Sequence, residues 1–340
     1  MNSMTALAPH SIFQDQFGRQ KRKLRISVTD RCNFKCSYCM PEHPEWMDKH
    51  SLLSFEALYA FCQFMVERGI DSLRITGGEP LMRQGVVHFI EQLQSLRAFG
   101  LKRIAMTSNG HYLPKYAHAL KQAGLDDLNI SLDSLDPVLF QQLTQRELAP
   151  VLAGIAAAQQ AGLSLKINTV LMQGINDSQI LPLVAWAKQQ QLPLRFIEYM
   201  PLDGDAQWQR QQVVTEQQIL QQLGEQYQIE ALPQDHSPAR IYRLDQSYDV
   251  GIISTISHAF CGQCDRIRLT AQGELFNCLF APQGIALKSE IQALAVHSDV
   301  AREQLQQRIG HYIWHKAAGF HAIHAQAHSP RKISMHMLGG

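Results

Sequence analysis

The stretch LRISVTDRCNFKCSYCMP, residues 24–41, joins a short β-rich run to three closely spaced cysteines. The run LRISV is typical of a strand, and Cys32, Cys36 and Cys39 follow it in a CxxxCxxC pattern. In parallel α/β folds, functional groups collect in the loops at the carboxyl ends of the strands. We therefore expect this loop to lie at the functional end of the fold.

Similar β-rich runs recur along the chain, each followed by a stretch with helical spacing. They are SLRIT (72–76), RIAMT (103–107), LNISL (128–132), LKINTV (165–170) and LRFIE (194–198). Alternating strands and helices indicate parallel strands joined by right-handed crossovers. Because six units are too few for a closed eight-stranded barrel, the sequence predicts an α/β fold with a partial (β/α)6 TIM-like barrel of parallel strands.

The rhythm changes after Met200. A Gln-rich helical stretch from about Val214 to Gln228 is followed by β-like runs around IYRL and VGIIST. This change predicts a core barrel over residues 16–230 and a smaller C-terminal α+β domain over residues 231–340.

The bulk composition sets limits on partners and location. The chain has 340 residues, of which 31 are Lys or Arg and 30 are Asp or Glu, so no global field attracts nucleic acid or an anionic membrane. The N-terminus has no apolar signal region, and no long apolar run predicts a membrane span. We expect a cytoplasmic protein that binds neither nucleic acid nor membrane. The sequence leaves a monomer and a homodimer open.

Seven cysteines in such a chain favour metal or redox use over disulfides. Six of them fall into two triplets. The seventh, Cys62, lies on the apolar stripe of a helix expected to begin after Ser54 and to end near Gly69, so we interpret it as a core residue.

The first triplet, Cys32, Cys36 and Cys39, predicts a [4Fe–4S] cluster. Such clusters normally take four thiolates, and a compact loop with three leaves one iron open for a small molecule. A zinc site with His43 or His50 as fourth ligand is the alternative. Zinc motifs usually come as CxxC pairs, and a CxxxCxxC triplet with an aromatic residue, Tyr38, beside its last cysteine is uncommon by chance, so the cluster is favoured.

A second motif, Gly77-Gly78-Glu79-Pro80, follows the strand run SLRIT. Glycines at a strand end let the backbone approach a ligand, and the Glu79 carboxylate can accept a hydrogen bond from an ammonium group. A simple turn between strand and helix is the alternative for this motif on its own.

The second triplet comprises Cys261, Cys264 and Cys278 and predicts another three-thiolate cluster with an open position. Structural zinc with His258 as fourth ligand is the alternative. Arg266 and Arg268 are spaced to point to one side of an extended segment. Guanidinium groups favour carboxylate or phosphate, so the pair indicates a polyanionic substrate beside the cluster, although ordinary surface arginines would give the same pattern.

Several motifs occur in the order of a known family: LRISVTDRCNFKCSYCMP, RITGGEPLMR, LNISLDSLD, RFIEYMP, FCGQCDRIRL ending at NCLF, and a terminal diglycine. The triplet and GGEP resemble the radical S-adenosylmethionine superfamily, and the chain from about residue 16 to its end resembles the GTP 3',8-cyclase family. The resemblance implies a lyase of molybdenum cofactor biosynthesis with two [4Fe–4S] clusters and S-adenosylmethionine. It implies that a 5'-deoxyadenosyl radical takes the ribose C3' hydrogen of GTP, after which C3' attacks guanine C8.

The same resemblance implies roles for individual residues. Cofactor contacts fall on Tyr38, Gly78, Ser131 and Met200. Contacts to GTP fall on Arg25, Arg74, Thr107, Lys166, Arg266 and Arg268. The six triplet cysteines become the cluster ligands, and the second cluster anchors guanine. The final residues, Gly339 and Gly340, become a catalytic tail that enters the active site, whereas without the resemblance they are typical of a frayed terminus.

The resemblance also implies a reducing electron donor and a downstream cyclic pyranopterin monophosphate synthase as partners. Ser108 departs from the family, which often has a second threonine there. Two alternatives stay open at this point: another radical enzyme with an auxiliary cluster acting on a peptide or cofactor precursor, and a zinc-stapled interaction protein.

Overall fold

Six neighbouring parallel strands form the centre of the sheet, as the alternating pattern predicts. The structure is a computed structural model that describes residues 12–205, 207–234, 237–294, 299–326 and 334–339. The strands are β1 (Lys23–Ser27), β2 (Ser72–Thr76), β3 (Arg103–Ser108), β4 (Asp127–Ser131), β5 (Ser164–Leu171) and β6 (Leu194–Glu198). Helices connect them: α1 (Phe55–Val66), α2 (Val86–Leu93), α3 (Leu113–Gln122), α4 (Pro137–Thr144), α5 (Ala149–Gln160) and α6 (Ile180–Gln189).

The C-terminal strands extend this sheet at both of its edges. They are β7 (Ile229–Ala231), β8 (Arg240–Leu244), β9 (Tyr248–Ile253), β10 (Arg266–Leu269), β11 (Glu274–Phe276) and β12 (Ile285–Ala286). β9 pairs in parallel with β6, and β10 pairs in parallel with β1. The remaining four strands continue from these two in antiparallel pairs. Within the described ranges β7 and β12 do not pair with each other, so the sheet is an open, partial barrel.

Further helices follow β6 in the described part of the chain. They are α7 (Glu216–Gly224), α8 (Lys288–Leu294), α9 (Asp299–Trp314), α10 (Phe320–Gln326) and α11 (Met335–Leu338). Helix α7 is the predicted Gln-rich helix, and Thr215 caps its first turn. Residue 230, the expected domain boundary, lies within β7, and the boundary stays a prediction.

The alternation of each central strand separates an apolar face from a polar one. On β1, Leu24 and Ile26 are fully buried in the main hydrophobic core, whereas Arg25 points to the opposite face. The same alternation on β5 buries Leu165 and Ile167 and turns Lys166 toward the barrel interior. The interior of this barrel is therefore polar and strongly cationic.

Helix α1 confirms the interpretation of Cys62, which is fully buried in the main core. The Ser54 hydroxyl accepts a hydrogen bond of 3.2 Å from the Ala57 amide and caps the helix. The helix ends at Val66, and Gly69 follows with a φ of +90°. Across the parts of the chain that the structure describes, no helix combines the length and the apolar character that a membrane crossing requires.

Candidate active site

Three arginines lie side by side on neighbouring strands. Arg25 on β1 is in register with Arg268 on β10 and with Arg74 on β2. Neighbouring strands are about 4.8 Å apart, so three guanidinium groups project from one short row of the sheet. Burial, followed by the charges of Arg268 and Arg74, holds the pKa of Arg25 well below its usual range.

The cations of this row are only partly balanced by carboxylates. Burial lowers the pKa of Arg74 to about 10 against the opposing effect of Asp127, whose carboxylate lies 3.7 Å away. Asp127 is also held by a forked ion pair with Arg103, at 2.5 and 2.6 Å. The guanidinium of Arg25 has no carboxylate partner among the described residues. Because buried cations without a counterion are costly, the row is suited to an anionic ligand.

A cavity of about 550 Å³ opens above this row. Five of the six residues predicted to contact GTP line it: Arg25, Arg74, Lys166, Arg266 and Arg268. The three cysteines of the second triplet, Cys261, Cys264 and Cys278, line the same cavity. The sixth predicted residue, Thr107, lies elsewhere, in a neighbouring cavity, where its hydroxyl accepts a hydrogen bond of 3.4 Å from Arg74.

The neighbouring cavity, of about 150 Å³, contains the first triplet. Cys32, Cys36 and Cys39 line it together with all four residues predicted to contact S-adenosylmethionine, which are Tyr38, Gly78, Ser131 and Met200. The two cavities share Asn168, Met200 and Met335 as lining residues. The residues predicted for the cofactor and those predicted for the substrate therefore face each other across a few side chains.

The loop of the first triplet is fixed by its own backbone. The Cys39 amide donates to the Cys36 carbonyl at 3.0 Å, and the Phe34 amide donates to the Cys32 sulfur at 3.4 Å. Burial, with a contribution from Glu79, raises the pKa of the Cys32 thiol to about 12, and burial also raises that of Cys36. Thiolates here need a bound cation to replace the proton, and a cluster of three thiolates with an open iron fits this donor set.

The GGEP motif packs against that loop. The Gly78 amide donates to the Thr29 carbonyl at 2.7 Å, and a Cβ on Gly78 would lie 2.4 Å from the Arg31 carbonyl oxygen. Only glycine permits this approach. The Glu79 carboxylate accepts hydrogen bonds from the Leu81 and Asn109 amides and from Ser108, and burial raises its pKa to about 7. The glycine that faces the cavity therefore also fixes the cysteine loop.

The second triplet lies beside cations. Lys316 donates to the Cys264 sulfur at 3.3 Å. Burial by itself would raise the pKa of Cys264, but the charges of Lys316 and Arg266 outweigh it and lower that pKa to about 7. Thiolates next to cations are good cluster ligands, so this donor set also fits a cluster.

The zinc alternatives placed a histidine beside each triplet. His258 instead lies with its Nδ1 atom 3.1 Å from the Glu216 carboxylate. In the described part of the chain, no three His, Cys, Asp or Glu side chains are grouped to hold a single metal ion.

The tail reaches the arginine row. The Gly339 carbonyl accepts a hydrogen bond of 2.5 Å from Arg268, and Leu338 is buried against Phe276 and Ala281. Gly339 has a φ of +76°, and a Cβ on it would lie 2.2 Å from a Thr76 side-chain carbon. The described end of the chain is therefore packed against the arginine row. Gly340 lies outside the described residues.

Some lining residues were missed by the sequence argument. Asn129 lies in register between Thr107 and Lys166, and Asn168 lies between Ser131 and Arg195. The carboxamide oxygens of both asparagines are buried and have no hydrogen-bond partner among the described residues, as expected of groups that await a ligand. Their period-two spacing from Ser131 and Lys166 is the signal that could have identified them.

Asp133 is another missed residue, and it fixes the ring of Tyr38. The Tyr38 hydroxyl donates to Asp133 at 2.6 Å, and the Val170 amide donates to the same carboxylate at 2.9 Å. Tyr38 and Asp133 both line the smaller cavity. A residue predicted to contact the cofactor is thus held in place by a carboxylate at the end of β4.

Comparisons with known proteins cover both halves of the chain. Residues 26–187 match the family model of the Radical SAM superfamily, and residues 192–322 match that of Molybdenum Cofactor Synthesis C. The GTP 3',8-cyclase of Nautilia profundicola is 39% identical over 293 residues, which cover 85% of this chain and 91% of that protein. The GTP 3',8-cyclase of Rhodopirellula baltica is 38% identical over 336 residues, covering 96% of this chain and 91% of that one.

The solved structure of Streptococcus suis SuiB bound to S-adenosylmethionine has the same fold, with a TM-score of 0.60 at 13% identity over 84% of this chain and 68% of that one. The two family models between them include both cysteine triplets. The sequence relatives cover most of the chain at about 40% identity, which counts against the alternatives of a peptide-modifying enzyme and a zinc-stapled protein. The chain belongs to the GTP 3',8-cyclase family of the radical S-adenosylmethionine superfamily.

Proposed function

We propose that this chain converts GTP to (8S)-3',8-cyclo-7,8-dihydroguanosine 5'-triphosphate, an early step of molybdenum cofactor biosynthesis. The observation that carries the proposal is the pair of adjoining cavities, each next to one cysteine triplet and sharing Asn168, Met200 and Met335. A reaction that passes a hydrogen atom from substrate to cofactor needs the two molecules in contact.

Cys32, Cys36 and Cys39 would hold the first [4Fe–4S] cluster in the smaller cavity, and Tyr38, Gly78, Ser131 and Met200 would contact S-adenosylmethionine. When bound, the cluster and cofactor supply the 5'-deoxyadenosyl radical that removes the C3' hydrogen of GTP. The chain's contribution is to orient the cofactor toward the shared lining residues and to exclude water from the space between the cavities.

Cys261, Cys264 and Cys278 would hold a second cluster, which would anchor guanine. Arg25, Arg74, Lys166, Arg266 and Arg268 would bind the anionic parts of GTP, and Thr107 would contact it from the neighbouring cavity. Cations buried before the substrate arrives need no reorganisation when it binds. Gly339 and Gly340 would form a catalytic tail, held by the hydrogen bond from Arg268 to the Gly339 carbonyl.

The remaining partners follow from this role. A reducing electron donor would supply the first cluster, and a cyclic pyranopterin monophosphate synthase would take the product. The proposal requires neither nucleic acid nor membrane, and it fits a monomer or a homodimer. A cytoplasmic location is supported by seven cysteines without a disulfide, which is usual in a reducing compartment.

The test is an anaerobic incubation of reduced protein with S-adenosylmethionine, with and without GTP. We expect 5'-deoxyadenosine to form much faster with GTP and a cyclised nucleotide to accumulate in parallel, as measured by chromatography and mass spectrometry. Equal 5'-deoxyadenosine with and without GTP, and no new nucleotide, would show that GTP is not the substrate.

A further inference from the structure

The segment that precedes β1 has no function in the sequence argument, yet it contains a cluster of buried charges. Residues 13–21 form a short hairpin in which Gln14 bridges to Gln20 and Gly18 takes a φ of +78°. Asp15 and Lys21 are fully buried, and Arg19 is 7% exposed. We name these three residues the N-terminal clamp.

The Asp15 carboxylate is the centre of the clamp. It accepts hydrogen bonds from Arg19 Nε and from Lys21 Nζ, both at 2.7 Å, and from the amides of Phe17 and Arg19. Four donors satisfy both oxygens, so the carboxylate fixes the direction of the two cationic side chains. The remaining N–H groups of Arg19 and Lys21 are free to bind other parts of the chain.

Those other donors all reach the neighbourhood of the second triplet. Arg19 Nη1 donates to the Cys261 carbonyl at 2.8 Å and to the Ala318 carbonyl at 2.7 Å, and Nη2 donates to the Ala317 carbonyl at 2.9 Å. Lys21 Nζ donates to the Cys264 carbonyl at 2.9 Å. The clamp therefore holds the backbone of two of the three cysteines in this triplet.

The connection between α9 and α10 packs closely against the loop that contains Cys261 and Cys264. A Cβ on Gly319 would lie 2.6 Å from Cys261 Cβ and 2.8 Å from its sulfur. Lys316 contacts the Cys264 sulfur and also donates to the Arg266 carbonyl at 3.3 Å. Because Arg19 bonds to both this connection and the Cys261 carbonyl, it keeps the two segments together around the cysteine sulfurs.

We infer that Asp15, Arg19 and Lys21 are positioning residues that hold residues 261–264 and 316–319 in the geometry a second cluster requires. This inference rests on the proposed two-cluster function and assigns a role within it to a segment outside both cavities. Arginine suits position 19 because its planar guanidinium can donate to three carbonyls and a carboxylate at once, which a lysine ammonium cannot do.

The test compares Arg19→Gln, Arg19→Lys and the control Arg22→Gln after anaerobic reconstitution. Arg22 lies in the adjoining segment and is 47% exposed at its side chain; it lies 3.6 Å from Asp71 and donates to the exposed Gln20 side chain at 3.1 Å, and it contacts none of the three clamp residues through its side chain. The Arg19→Gln protein should hold about four irons per chain, whereas the unchanged protein should hold about eight. After reduction, its electron paramagnetic resonance spectrum should match that of Cys278→Ser. Its KM for GTP should rise by about tenfold or more.

Arg19→Lys should recover part of the iron, because the contact with Asp15 survives, and Arg22→Gln should equal the unchanged protein. Full iron and an unchanged KM in Arg19→Gln would overturn the inference, as would equal loss from both clusters. If Arg19→Gln does not accumulate, the same measurements on Arg19→Lys decide between these outcomes.

Failure of the proposed function would look different. In that case the unchanged protein would hold only about four irons, and Cys278→Ser would leave its spectrum unaltered. Hydrogen exchange in residues 261–265 then still tests the clamp: faster exchange there in Arg19→Gln supports it, and unchanged exchange contradicts it.

Discussion

At the scale of single residues, Arg25 shows how binding and stability oppose each other. It lies between Arg268 and Arg74 with a lowered pKa and no carboxylate partner among the described residues. Evolution tends to keep such unfavourable groups where a ligand needs them. The residue should therefore weaken the free protein and strengthen the complex.

We predict that Arg25→Met makes the substrate-free protein more stable by about 1–3 kcal/mol, because it removes a buried cation and its repulsion from two neighbours. The same change should raise the KM for GTP by about tenfold or more, because one anion contact is lost. Thermal unfolding and steady-state kinetics measure the two effects. Arg22→Met, at an exposed position, is the control, and lower stability with an unaltered KM would refute the prediction.

The cysteines make a second prediction at this scale. Cys278→Ser removes a ligand of the proposed second cluster, so GTP turnover should be lost while slow cleavage of S-adenosylmethionine without GTP persists. Cys62→Ala is the control, because Cys62 is a fully buried core residue that belongs to neither triplet and lines neither cavity. Iron analysis and 5'-deoxyadenosine assays measure the effect. Complete loss of cleavage in Cys278→Ser would contradict separate roles for the two triplets.

At the scale of secondary-structure elements, the short helix α11 brings the tail to the arginine row. The Met335 amide donates to the Leu202 carbonyl at 2.9 Å, Leu338 is buried, and the Gly339 carbonyl accepts from Arg268. Composition alone predicts a frayed end for such a tail, because glycines have no side chain to pack. The contact between Gly339 and Arg268 joins residues far apart in the sequence, so no local sequence pattern predicts it.

We predict that Gly339→Ala abolishes most GTP turnover and leaves the fold intact. The added methyl would lie 2.2 Å from a Thr76 side-chain carbon, so the tail has to move away from Arg268. Gly174→Ala is a matched control, since Gly174 has a similar φ of +72° but open space around it. Turnover and the midpoint of thermal unfolding separate the effects. Equal turnover losses in both variants would attribute the effect to backbone strain.

At the scale of the whole molecule, the cationic interior couples ligand binding to stability. The row of Arg268, Arg25 and Arg74 repels itself until an anion enters. A triphosphate that binds only the folded chain should therefore oppose unfolding throughout the barrel.

We predict that inorganic tripolyphosphate at about 100 times its Kd stabilises the protein by about 2.7 kcal/mol, measured as a rise in the unfolding midpoint. Salt should reduce the effect, because added ions compete for and screen the cations at the open side of the cavity. Arg25→Met should show a smaller shift than the unchanged protein. If neither salt nor Arg25→Met changes the rise in the unfolding midpoint, the anion binds elsewhere.

The sequence predicts the central fold well because each of its strands and helices has a recognisable local pattern of apolar residues. All six strand runs form strands in the expected order, and Ser54 caps the helix expected to begin after it. The destinations of β9 and β10 were not predictable in this way. The sheet edge that each one joins depends on pairing with strands distant along the chain, which no local pattern specifies.

The candidate site divides in the same manner. Motif spacing identified both triplets together with Arg266 and Arg268, and the family resemblance added Arg25, Arg74 and Lys166. All of these residues line one or other of the two adjoining cavities. Asn129 and Asn168 were missed because the sequence does not show which face of a strand points into the cavity. Asp133 lies in the loop after β4, and its hydrogen bond to Tyr38 joins residues distant along the chain. The N-terminal clamp was missed because its partners are backbone carbonyls, which leave no trace in side-chain patterns.

The pairing of β1 with β10 has a consequence for the order in which the chain matures. Strand β1 lacks one of its two neighbours until β10, which ends at residue 269 of 340, has been synthesised. Strands β1 to β6 form successive pairs and are able to fold during translation, whereas closing contacts with distant segments come late. We expect an intermediate of the nascent chain in which the loop of the first cysteine triplet is already ordered, while strand β10, which carries Arg266 and Arg268, has not yet joined the sheet.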